Sequence, residues 1–148
     1  MAIVNKETRT IRTDHWQFLL EGDRSASWDV DDVGSQLTTG RAVSTLSGFV
    51  VGTGRLWGDT RVELEIHDQT PVLDRQGWDA VSEGEMTTRD QAVEIYAPET
   101  AGTNNVWRVA LAPGQYRWAL LAAGLDSVAD DIGGVGDDWY RIIIWPGR

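Results

Sequence analysis

Apolar and polar residues alternate along most of this chain with a period of two, and the helical period is almost absent. The stretch "HWQFLLE" (15–21) predicts a strand with Trp16, Phe18 and Leu20 on one face. "LSGFVVGT" (46–53) is a short apolar run whose internal glycine suits a bulge or a close backbone approach. In "RVELEIH" (61–67), Val62, Leu64 and Ile66 point inward, while Glu63, Glu65 and His67 point outward. The segments "WDAVSEGEM" (78–86), "AVEIYA" (92–97), "NVWRVAL" (105–111), "QYRWALLAA" (115–123) and "DWYRIIIWP" (138–146) complete the set. Between "NVWRVAL" and "QYRWALLAA" the Pro113-Gly114 pair predicts a tight turn joining a hairpin.

About eight strands at spacings of about 8 to 15 residues, broken by Gly, Asp and Pro, predict an antiparallel β-sandwich or jelly roll, one all-β domain over residues 1–148. The register chosen for "QYRWALLAA" buries Trp118 and Leu120. Residues 22–54, rich in Gly, Ser and Thr, read as weak strands and long loops. The glycines and aspartates of "GLDSVADDIGG" (124–134) favour a loop over a helix.

The 8 tryptophans sharpen this picture. Trp16, Trp107, Trp118, Trp139 and Trp145 fall on predicted strands in step with aliphatic residues, which assigns most of them to the core. Trp28, Trp57 and Trp78 stand beside Asp29, Asp59 and Asp79 near strand ends, where an exposed ring is expected.

Charge changes the functional classes. The net charge is -10, and residues 61–148 carry most of it. Such a balance speaks against nucleic acid, whose affinity comes from cations on phosphates, and against an anionic membrane surface. Electrostatically it favours a basic protein partner, while acidic surfaces are also common simply because they keep proteins soluble. The chain has no cysteine, so disulfides, thiolate metal sites and a cysteine nucleophile are excluded. Its opening residues lack the apolar core of a secretory signal, and no apolar run approaches the roughly 20 residues that span a bilayer. A cytoplasmic location is expected.

Catalytic constellations are poorly supported. His15 and His67, with Glu65 and Asp68, can be drawn into a metal site, but only Glu65 and His67 share a strand face. An enzyme using His67 and neighbouring carboxylates is the least favoured reading. No G-x-S-x-G elbow or phosphate-binding loop occurs. Aspartates 68, 74, 126, 130, 131, 137 and 138 are hard oxygen ligands near strand ends, so a calcium-dependent or small-molecule β-sandwich module is the alternative reading. Aspartate is also common in such loops because it favours turns. No metal, cofactor or catalytic residue is expected.

The second half also carries an order of motifs. A D-x-x-P turn (Asp68 to Pro71) precedes a G-W-D-x-V-x-E strand (Gly77 to Glu83), a P-G-x-Y-R hairpin (Pro113 to Arg117) and a terminal strand (Tyr140 to Pro146). This order resembles a family of small acidic bacterial all-β proteins, mostly uncharacterised. In general layout it is also similar to the competence proteins that inhibit a DNA-entry nuclease. The resemblance implies an immunity or inhibitor protein for a basic toxin or nuclease, and it carries no interface residues. From the residues themselves, Glu63, Glu65, Asp68, Glu83, Glu85 and Glu94 are the expected partner-binding set. Because Glu63 and Glu65 point outward, reversing both to Lys is expected to leave the fold intact.

Overall fold

The inward residues of the alternating pattern meet those of a second sheet. The computed structural model describes residues 3–23, 41–100, 106–128 and 136–147. Among them are ten strands: β1 (Ile3–Thr13), β2 (Gln17–Glu21), β3 (Ala42–Ser44), β4 (Gly48–Gly52), β5 (Gly58–His67), β6 (Ala80–Thr88), β7 (Ala92–Tyr96), β8 (Trp107–Ala110), β9 (Gly114–Ala123) and β10 (Trp139–Pro146). One sheet has the order β1-β5-β10-β9-β6 and the other β3-β4-β2-β7-β8. All pairings are antiparallel except β5 with β10. This is the all-β sandwich that the alternation predicts.

Phe18, Phe49, Leu64, Trp118, Leu120, Tyr140, Ile142 and Ile144 are almost wholly buried between the sheets. Each contributes about 1.5–3 kcal/mol by leaving water. Trp118 and Leu120 are both 1% exposed, as the predicted register requires. The Trp118 ring stacks on Phe49 with centroids 4.1 Å apart. It also lies over Gly84, where an added Cβ would approach within 2.5 Å of the ring. The glycine makes room for the indole.

Three features differ from the sequence reading. Strand β1 was not expected, because as an edge strand it buries only Ile11 and Thr13 and otherwise carries polar residues. Pro113-Gly114 does not close a hairpin. β8 pairs with β7 and β9 with β10 and β6, so this turn carries the chain from one sheet to the other. Trp16 lies in the turn before β2 and is 41% exposed, while Phe18 and Leu20 enter the core as expected.

Strands β5 and β6 lie on opposite sides of β10 and β9. Their connection, residues 68–79, therefore straps the outer face of the first sheet. Leu73 and Trp78 of this strap, with Val81, pack on Ala119, Leu121, Ile143 and Trp145, forming a second apolar layer outside the main core.

Candidate functional site

The outward residues of β5 meet arginines from its neighbours. Arg61, Glu63 and Glu65 pair in register with Thr10, Thr8 and Lys6 of β1, and with Trp139, Arg141 and Ile143 of β10. Glu63 accepts from Arg141 Nε at 3.2 Å and from Arg61. Glu65 is bonded to His67 Nε2 at 3.0 Å and lies 3.6 Å from Arg141 Nε and 4.0 Å from Lys6 Nζ. The arginines are themselves held by indoles. Arg61 sits 4.3 Å over the Trp139 ring, and Arg141 sits 5.1 Å from Trp78 and 5.4 Å from Trp139.

Glu63 and Glu65 consequently point away from the core yet are only 5% and 8% exposed. Burial opposes the charge of Glu63, but the hydrogen bonds and charges of Arg61 and Arg141 outweigh it and hold the carboxyl below its ordinary value. Above this lattice, between sheet and strap, lies a cleft of about 450 Å³ lined by Glu65, His67, Leu73, Trp78, Trp139 and Arg141, among others. His67 Nδ1 is buried there with no hydrogen-bond partner among the described residues.

The five predicted glutamates and Asp68 do not form one face. Glu63 and Glu65 share the lattice, and Asp68 begins the strap beyond it. Glu83 and Glu85 lie on the same side of the sheet on β6, three strands away, or about 14 Å at the usual strand spacing. Arg75 of the strap pairs with Glu83, and Arg117 donates to Glu85 at 2.7 Å. Glu94 is on the outer side of the other sheet, opposite Glu21, and accepts from Arg108 at 2.9 Å. Burial raises the Glu21 carboxyl above its ordinary value, and the nearby Glu94 adds to the shift while a hydrogen bond from Tyr96 opposes it. Alternation within one strand cannot show an arginine supplied by a distant strand, so the set read as one anionic surface.

The metal candidates are also divided. His67 pairs with Ile3 at one end of β1, and His15 follows its other end, on the order of 30 Å away at about 3.3 Å per residue. Asp138 is buried as the acceptor of Arg55 Nε at 2.6 Å and of Tyr140 OH at 2.6 Å, while Asp74 accepts from Gln76 N at 3.0 Å. Asp130 and Asp131 lie outside the described residues, as do Trp28 and Asp29. Asp14, His15 and Glu99 do approach within 4.8 Å of one another. Asp14 already accepts from Glu99 N at 3.1 Å and is joined to His15 Nδ1 at 2.5 Å.

That last cluster belongs to a feature the sequence reading missed. Residues 14–17 form a tight turn closed by Gln17 N donating to Asp14 O at 2.9 Å. Its two central residues, His15 and Trp16, have φ of 53° and 58°. A left-handed φ at both centres is the pattern of the tight turn that normally takes Asn-Gly, and a bulky residue there is strained. Here the turn carries the chain from β1 in one sheet to β2 in the other. "DHWQ" carries no turn glycine to announce it. Trp16 N donates to Leu56 O at 3.0 Å, which brings the turn beside Trp57, 46% exposed. Arg12 covers the Trp57 ring at 5.5 Å and lies 3.9 Å from Asp59.

No protein-family model matches the chain, and no curated protein matches it in sequence. Its fold is that of solved structures. ComJ from Bacillus subtilis, inhibitor of the DNA degrading activity of NucA, superposes with a TM-score of 0.67 at 10% identity, over 98% of this chain and 99% of ComJ. The protein of crocagin biosynthetic gene J superposes with a TM-score of 0.59 at 15% identity, over the full length of both chains. The layout read from the second half thus extends, as a fold, to the first third that the motifs did not reach. At these identities the likeness is one of fold.

Proposed function

We propose that this chain is a non-enzymatic, cytoplasmic binding protein of the immunity or inhibitor type, acting on a basic toxin or nuclease. The observation that carries this reading is the end-to-end likeness of its fold to ComJ, itself an enzyme inhibitor. The net charge of -10 supports a basic target, since complementary charge accelerates encounter and selects partners. Among the predicted residues, Glu83 and Glu85 are exposed and each paired with an arginine that is itself half open to water. These two, with exposed Asp68, contribute to that field without unmaking a buried ion pair.

The test is a DNA-digestion assay in which the purified chain is titrated into NucA and into the basic nucleases of its own genome. Inhibition that saturates near one equivalent, with an association rate that falls as salt rises, is the expected result. Full nuclease activity in every digest would overturn the reading.

A further inference from the structure

We propose that the protein partner docks on the end of the sandwich that carries Trp16 and Trp57, and that these two indoles are its main anchors. The inference rests on the inhibitor reading and names the face that would serve it. Among the described residues these are the two exposed aromatic side chains. Their backbones are tied together, since Trp16 N donates to Leu56 O and Thr53 N donates to Trp16 O at 2.8 Å. Exposed tryptophans held by a rigid frame are the residues that most often dominate protein interfaces.

The turn is built to keep Trp16 outside. A left-handed Trp is sterically costly, and Asn-Gly would close the same turn without that cost. The Asp14 carboxylate clamps the turn from two sides, bonding the His15 ring and the Glu99 backbone. Backbone strain at this position thus accompanies an apolar ring that is left 41% exposed to water.

The surrounding charge selects the occupant. Asp59 and Glu99 are exposed at this end, and Asp137 lies beside the buried Arg55–Asp138 pair at the same end of the sheet. Arg12 is 67% exposed, lies over Trp57 and is only loosely paired with Asp59. A lysine or arginine of the partner can replace Arg12 on Asp59 and on the indole face, exchanging one cation for another without leaving a bare carboxylate. The fitting partner is therefore a protein surface with an apolar depression flanked by Lys or Arg. A second copy would bring like charge to the same place, and an anionic membrane would meet the same acids.

The experiment compares wild type with Trp16→Ala/Trp57→Ala for binding to NucA and to the basic nucleases of the same genome, with melting curves confirming the fold. We expect the double variant to lose about 30-fold or more in affinity, mainly through faster dissociation. In wild type, the His15 imidazole resonances should shift on complex formation, a readout that needs no variant. Equal affinities with an unmoved His15 signal would overturn the docking face and leave the inhibitor reading standing. Failure of the wild type to bind any of these enzymes would overturn both. Self-association, or binding to phosphatidylglycerol vesicles, that the double variant abolishes would assign the indoles to a second copy or to lipid and overturn the proposal.

Discussion

The outer face of β5 and the turn at residues 14–17 invert what their residue types suggest. On β5, charged glutamates are buried in a lattice of arginines and indoles and serve the fold. At the turn, a large apolar ring stands in water on a strained backbone. On β5 the charge is thus internal to the sheet, whereas at the turn an apolar ring faces outward. In this acidic chain the count of carboxylates is therefore a poor guide to how much free charge a strand face carries. Neutralised glutamates steer little, whereas an exposed indole supplies contact energy.

The strongest way to break this contrast is to reverse the lattice. Glu63→Lys with Glu65→Lys puts two cations among Arg61, Arg141 and Lys6. We expect a loss of about 3–5 kcal/mol or more in urea unfolding, as for other broken buried pairs. This replaces the expectation, drawn from the strand pattern alone, that the fold would tolerate the change. An unchanged midpoint would make the lattice decorative. Acid tests the same residues. Because the folded-state carboxyl of Glu63 lies below its ordinary value of 4.5, its stabilisation is complete above that pH and is lost as pH falls through the depressed value. A Glu63→Gln variant should show a shallower acid limb.

At the turn the sign reverses. His15→Asn with Trp16→Gly supplies the residues that left-handed centres favour, so stability should rise by about 1 kcal/mol. The same variant should bind its partner less well. A loss of stability would show that Trp16 packs for the benefit of the fold. Smaller still, Trp57→Ala should change unfolding by no more than about 0.5 kcal/mol, as at other exposed sites.

The smallest effect is a titration. The hydrogen bond to Asp14 holds the His15 pKa above its ordinary 6.5, with desolvation opposing and the charges of Asp14 and Glu99 adding. Its stabilisation is therefore complete below pH 6.5 and lost as pH rises through the folded-state midpoint. An NMR titration should place that midpoint above 6.5, and Asp14→Asn should move it down.

The sequence by itself determined the class of fold and the inward face of each central strand. Period-two alternation leaves one orientation that buries Val62, Leu64 and Ile66, or Trp118 and Leu120, and local residues state it directly. Edge strand β1 escaped because an edge buries too little to write a pattern, and Pro113-Gly114 misled because a turn residue says nothing about which sheet follows. Only the tertiary structure decided the fate of the charges. Whether Glu63 is a free surface acid or half of a buried pair depends on Arg141, which arrives from β10 across a parallel pairing. It likewise decided that Trp16 stands exposed, because its left-handed turn is tied to distant segments, with Trp16 N donating to Leu56 O, Thr53 N to Trp16 O and Glu99 N to the Asp14 carboxylate. Local sequence records what a strand prefers to bury. Partners supplied from far along the chain determine which polar groups are neutralised and which apolar ones are left over.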